Sequence, residues 1–271
     1  MRINKDTTLC MSLASKPSNF GTRFHNYLYE ALDLNYLYKA FAPQDLAQAI
    51  VGVRGLPVRG CAISMPYKEA VIALVDEMDA SAKAIQSVNT IVNTDGVLKA
   101  YNTDFIAISK IIEKYDISPA TKFALKGSGG MAKAVAFALK SKGFSNGIIV
   151  AKNETSGPEL AQSSGYTWQK ELEDTDVELL INATPVGMTG TAFEDDLAFS
   201  EQMITAAKLI FDVVALPENT PLIQLAQAQG KPTIQGSEVF ALQALEQFYL
   251  YTGVYPSQEV FNAAAKFSRA G

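Results

Sequence analysis

The chain has 271 residues, enough for two domains with a sizeable core, and at 48% hydrophobic and 19% charged it has the composition of a folded protein rather than a disordered one. A net charge of −5 without any basic run excludes nucleic-acid binding as the main task, and two cysteines and one histidine are too few for a Cys/His metal cluster, so no metal site is expected. No apolar run reaches the roughly 20 residues that span a bilayer, and the N-terminus lacks a signal-peptide core. A cytoplasmic protein without a membrane partner is therefore expected, with Cys10 and Cys61 as small apolar fillers in a reducing compartment.

In chain order, "TTLCMSLA" and "RGCAISM" read as strands. Between them "GTRFHNYLYEALDL" reads as a helix, with Phe24, Leu28, Ala31 and Leu32 on one face. "KEAVIALVDEM" and "DASAKAIQ" read as two further helices, and "VNTIVNTDGVLKAYN" as a hairpin turning at Thr94-Asp95-Gly96. After "NTDFIAISKIIEKYDISPAT" the pattern changes. "KFALKG" is a strand, "GMAKAVAFALKSKG" a helix and "NGIIVAKN" the next strand; "PELAQSSG" is helical, and "VELLINATPVGM" and "KLIFDVVAL" are strands with their loops. This β-α-β-α-β series is that of a nucleotide-binding half of a doubly wound sheet. The tail from residue 237 is helical and carries no further strand.

Gly127 directly follows a strand, and Gly129-Gly130 open a helix. Glycines there let the backbone bend tightly and approach a pyrophosphate, whose charge is stabilised by the free N–H groups at the helix start. The same loop can also serve as a plain packing turn. A site selective for NAD usually ends the next strand in an acid that binds the ribose 2′-hydroxyl. Here that strand ends in Ala151-Lys152-Asn153-Glu154. Lys152 sits where a 2′-phosphate can be paired, which favours NADP; Glu154 leaves NAD open, and a solvated strand-end lysine is the plain alternative.

Over nearly its whole length the chain resembles the shikimate dehydrogenase family. "AISMPYKE" resembles that family's N-V-T-x-P-x-K, with Ser64 in its threonine position and Lys68 in that of its catalytic lysine. "VNTI" matches A-V-N-T at Asn89, and "NTDFIA" matches N-T-D-x-x-G with the catalytic aspartate at Asp104. "GSGGMAKA" corresponds to G-A-G-G-A-x-R/K-A, "INATPVGM" to N-A-T-x-x-G-M and "TPLI" to T-P-L-L; "GSEVFALQA" is similar to G-x-x-M-L-x-x-Q-A, with the substrate-binding glutamine at Gln243. The resemblance implies an α/β, two-domain fold: a Rossmann-like NADP-binding domain over 106–236 and an α/β substrate domain over 1–105 with 237–271. It implies cofactor contacts at Gly127, Ser128, Gly129, Gly130, Met131, Lys133, Lys152, Asn153, Ala183, Thr184, Pro185, Val213 and Gly236. The implied partner is a small cyclic hydroxy acid, held by Asn89 and Gln243, and the chain is expected as a monomer or homodimer. In that pattern His25 begins an H-N pair on a structural helix and is a packing residue.

Three departures accompany the match. The family's S-x-S-P-x-x-H-N anchor, counted back from His25-Asn26, puts its two serines at Asn19 and Gly21 and its proline at Thr22; Asn19 and Thr22 remain as hydrogen-bonding candidates for the substrate. The family's D-x-x-Y becomes Asp212-Val213-Val214-Ala215. Its N-R-T-x-x-R becomes Ala151-Lys152-Asn153-Glu154-Thr155-Ser156, which exchanges one planar guanidinium fork for a point charge and drops the other. The expected activity is an NADP-dependent interconversion of shikimate and 3-dehydroshikimate, or of a close cyclic hydroxy acid, at lower efficiency than the pathway enzyme. A quinate or amino-substituted substrate, or a non-catalytic NADP-binding regulator, are the alternatives.

Overall fold

The structure is a computed structural model that describes residues 3–173 and 176–269. The chain divides into two compact units, Met1–Thr103 with Ala241–Gly271, and Asp104–Phe240.

The first unit is built on a six-stranded sheet. Its strands are β1 (Thr8–Leu13), β2 (Tyr36–Phe41), β3 (Gly60–Ile63), β4 (Glu77–Met78), β5 (Thr90–Thr94) and β6 (Val97–Tyr101), in the order β2-β1-β3-β5-β6-β4. β1, β2 and β3 run parallel, β5 is antiparallel to β3, and β5 and β6 form the expected hairpin, closed by Asp95 and Gly96 at φ 53° and 87°. Both faces of the sheet are covered, so β3 is buried throughout. Along β3 the side chains alternate between two cores. Cys61 and Ile63 face the core that holds Ile50 and Val53 of α2 (Leu46–Gly55) and Ala82 of α3 (Ala80–Ile85). Ala62 faces the opposite core, which holds Phe24, Leu28 and Tyr29 of α1 (Phe20–Ala31).

The second unit starts in α4 (Thr103–Lys114) and continues through β7 (Phe123–Lys126), α5 (Gly130–Ser141), β8 (Gly147–Val150), α6 (Ser156–Ser164), β9 (Thr167–Gln169), β10 (Leu179–Asn182), α7 (Glu201–Ala206), β11 (Leu209–Asp212), α8 (Pro221–Ala228) and β12 (Thr233–Gln235). Its sheet is parallel throughout, in the order β12-β11-β10-β7-β8-β9. The chain order reverses between β7 and β10, and in such sheets that reversal marks the crevice where ligands bind. The chain returns to the first unit through α9 (Gly236–Thr252), and α10 (Gln258–Arg269) closes that unit by packing on α1, with Phe24 and Phe261 meeting edge to face.

One expected helix is absent. Over 68–78 the chain forms only a short 3-10 turn at Ala70–Leu74, and Glu77–Met78 become β4, parallel to β6. The β-branched Val71, Ile72 and Val75 disfavour a helix there. Asp76 then fixes the exit: its carboxylate accepts the Leu98 N–H at 2.7 Å and pairs with Arg54 at 2.7 Å. No helix among the described residues is long and apolar enough to cross a membrane.

Candidate active site

In the first unit, β1, β3 and β6 end, and the antiparallel β5 begins, at one edge of the sheet. That topology gathers the segments holding Ser64, Lys68 and Asn89 at this edge. Ser64 is exposed; its N–H donates to the Leu13 carbonyl at 2.9 Å and its carbonyl accepts the Tyr67 N–H, turning the chain back after β3. The Lys68 carbonyl accepts the Val88 N–H at 2.8 Å, which sets half-buried Lys68 beside the start of β5. Asn89, 3% exposed, is tightly held: its Oδ1 accepts the Thr103 N–H at 2.8 Å and both the Thr90 and Thr103 hydroxyls, while its carbonyl accepts the Ile63 N–H. The Thr103 hydroxyl also lies 3.3 Å from Oε1 of Gln243 on α9. On the far side of Asn89, the Gln247 amide donates to its carbonyl at 3.3 Å.

Asn19 and Thr22 lie at the start of α1. Asn19 is exposed at the N-cap; its side chain makes no capping bond, although its carbonyl accepts the Arg23 N–H at 2.9 Å. Thr22 is half-buried, with its carbonyl taken by the Asn26 amide. Ser15, out of register with the family's serines, donates both N–H and hydroxyl to the Met65 carbonyl. His25 is wholly buried, stacked on Tyr38 at 4.4 Å in an aromatic core, and burial holds its pKa down to about 3. The Gln247 amide softens that shift without completing a hydrogen bond to either ring nitrogen.

The second unit holds Asp104 in the first turn of α4, 7% exposed, where the helix dipole favours a carboxylate. The remaining candidates lie along the carboxyl edge of its sheet. Gly127 follows β7 at φ 125°, and a Cβ there would come within 2.8 Å of the Ala183 carbonyl, so only glycine fits. Gly129 and Gly130 are exposed at the start of α5, and a Cβ on either would meet nothing within 4 Å. Met131 and Lys133 follow half-buried in the first turn of α5.

The Ser128 hydroxyl is 2.8 Å from that of Ser156, tying the loop to α6. Lys152 and Asn153 are exposed beyond β8; the Asn153 carboxamide caps α6 by accepting the Thr155 and Ser156 N–H groups. Glu154 pairs with Lys170 at 2.5 Å on the surface. Beyond β10, Ala183 and Thr184 are half-buried and Pro185 is exposed; Thr184 donates its hydroxyl to Asn182 at 2.6 Å. Gly236 is buried against Val213, where a Cβ would sit 2.4 Å from the Val213 carbonyl.

One buried carboxylate ties these loops together. Asp212 accepts from the Thr220 hydroxyl at 2.6 Å, the Asn182 amide at 3.0 Å and the Val214 N–H at 3.0 Å. Burial pushes its pKa up to about 6 against those three bonds. Sequence reasoning noted Asp212 and Thr103 only inside motifs; their work as anchors depends on partners 8 to 30 residues or more away in the chain.

Residues 20–91 match the model of the shikimate dehydrogenase substrate binding domain. A shikimate dehydrogenase-like protein of Haemophilus influenzae is 54% identical over 267 residues, covering 98% of each chain. The shikimate dehydrogenase (NADP(+)) of Desulforamulus reducens is 33% identical and covers 93% of this chain and 92% of its own. The chain belongs to the shikimate dehydrogenase family. A solved structure of a shikimate 5-dehydrogenase-like protein superposes with a TM-score of 0.97 at 54% identity, over 99% of this chain and 100% of that one. Membership makes the chain an oxidoreductase of the kind that acts on CH-OH groups with a nicotinamide dinucleotide.

Proposed function

We propose that this shikimate dehydrogenase family member is an NADP-dependent dehydrogenase interconverting shikimate and 3-dehydroshikimate, or a closely related cyclic hydroxy acid. The observation that carries the reading is the gathering of Lys68, Asn89, Thr103 and Gln243 at one sheet edge, from four separate stretches of chain. A rigid carboxamide, a second amide and a lysine brought to the same edge suit a ring bearing several hydroxyls. The similarity to the NADP(+)-using enzyme of Desulforamulus reducens supports the same choice of cofactor, as does Lys152.

The residues of the second unit fit a dinucleotide: Gly127 admits no side chain, and open space lies over Gly129 and Gly130 at the helix start. The bound nicotinamide would supply hydride chemistry. The chain's own task is the proton. Lys68 and Asp104 carry the proton transfer, Lys68 as the group that takes the hydroxyl proton in oxidation and returns it in reduction. Asn89 and Gln243 orient the ring, and Asn19 and Thr22 stand in for the serines that anchor a carboxylate, with weaker geometry and lower efficiency. The test is NADP reduction by shikimate, with cofactor binding measured in parallel. Lys68→Ala should lose at least about 100-fold in kcat while still binding NADP; full activity in that variant sinks the mechanism.

A second reading, a quinate or amino-substituted substrate, is favoured by Asn19 and Ala215. A substrate panel separates the two, and preference for shikimate excludes it. Absence of turnover with every ring substrate, NADP binding being intact, would instead identify a regulatory dinucleotide-binding protein.

A further inference from the structure

Lys126 is the last residue of β7, half-buried and one position before the glycine loop. Strand alternation turns its side chain to the face that carries Ala124. There its ammonium donates to the Ala198 carbonyl and stands 5.5 Å from the centre of the Phe199 ring. An apolar side chain of equal length would fill that place at lower cost, because burial disfavours the charged form. Burial does lower its pKa, and the charge of Lys152 lowers it further, against an opposing pull from Glu171.

The repulsion follows from the strand register. Lys126 pairs with Val150 across β7 and β8, and the Gly127 N–H donates to the Val150 carbonyl at 2.8 Å. Lys152 comes two residues later on the neighbouring strand end. Two lysines thus stand at adjacent strand ends, near enough for the charge of Lys152 to act on Lys126, while Glu154 is paired with Lys170. Like charges placed together in a partly desolvated spot cost stability unless an anion joins them. A phosphate monoester, which carries close to two negative charges at neutral pH and three acceptor oxygens, meets that need.

We propose that Lys126 is a second phosphate-pairing residue of the dinucleotide site, leaving the Ala198 carbonyl to share the 2′-phosphate of NADP with Lys152. The inference rests on the dehydrogenase reading above for the identity of the dinucleotide. It makes Lys126 a determinant of NADP over NAD, since NAD offers a hydroxyl at that place.

Calorimetric titration of the full chain with NADP, NAD and 2′,5′-ADP tests it. Lys126→Met keeps the stem that packs beside Phe199. It should weaken NADP and 2′,5′-ADP about tenfold, as expected for loss of a charge-assisted bond, and leave NAD within about twofold. Lys126→Arg should restore most of the difference, and the salt dependence of NADP binding should flatten in Lys126→Met. If Lys126→Met does not fold, Lys126→Gln, which keeps a donor for Ala198, answers the same question. Equal losses for NADP and NAD would make Lys126 a purely structural lysine and overturn the proposal, as would an unchanged ratio. A wild-type chain that binds neither dinucleotide would overturn the dehydrogenase reading as well; one that binds NADP, with an unchanged ratio in the variant, overturns this inference alone.

Discussion

His25 and Asp212 are both buried away from water, and their titrations move stability in opposite directions. His25 titrates near 3 when folded and near its usual 6.5 when unfolded, so between those values only the unfolded chain takes up the proton. Stability is therefore lost as pH falls through that window, by about 2 kcal/mol between pH 7 and 5. Asp212 is the reverse case, with a folded pKa of about 6 above its usual 3.8. Its contribution grows as pH falls from 6 toward 4, by about 1 kcal/mol over the same interval. Urea unfolding at the two pH values checks both. His25→Phe should flatten the acid loss in the first unit, and Asp212→Asn should remove the acid gain in the second; pH dependence unchanged in both variants refutes the assignment. Asp212→Ala differs from Asp212→Asn, because it strands the Thr220 hydroxyl, the Asn182 amide and the Val214 N–H together. It should cost 3 kcal/mol or more, to order of magnitude.

The glycine loop shows the same dependence at the scale of an element. Its strand–turn–helix placement is legible in "FALKGSGGMAKA", because periodicity changes from 2 to 3.6 across it. What the letters cannot convey is which glycine is obligatory. Gly129 and Gly130 have room for a side chain, whereas Gly127 combines φ 125° with the Ala183 carbonyl 2.8 Å from any Cβ. Gly127→Ala should therefore lower the melting temperature by several degrees, at a strain of about 1–3 kcal/mol, and weaken NADP binding. Gly130→Ala should leave the melting temperature within about a degree, and its effect should be confined to the cofactor. Equal melting temperatures for both variants would contradict the backbone geometry. "KEAVIALVDEM" is the opposite lesson. Its apolar spacing is helical, yet the partners that decide its path, Arg54 and Leu98, are 22 residues away from Asp76 on either side. A local pattern carries no information about them.

Over the whole molecule, the fold class was readable because β-α-β periodicity is local, and the seven family motifs were readable as ordered text. The joining of Asn89 to Thr103 and Gln243 was not, since it depends on an antiparallel β5 bringing distant loops to one edge. Chain topology also makes the first unit discontinuous: it needs 1–103 and 241–271 together, sealed where α10 packs on α1, while 104–240 has a core of its own around Ala124, Leu180, Ile204 and Leu222. Trp168, the chain's single tryptophan, belongs to that second core's unit, so its fluorescence follows the second unit whereas far-UV circular dichroism follows both. Phe24 is wholly buried in the first unit, between Phe20 and Phe261. Phe24→Ala should remove roughly 3–5 kcal/mol from that unit alone. On heating, the dichroism signal should then begin to fall well before the Trp168 fluorescence shifts, and the early phase should leave the temperature of the fluorescence transition within a few degrees of wild type. Two probes that stay superimposed in Phe24→Ala would show that the units unfold as a single cooperative body despite their separate cores.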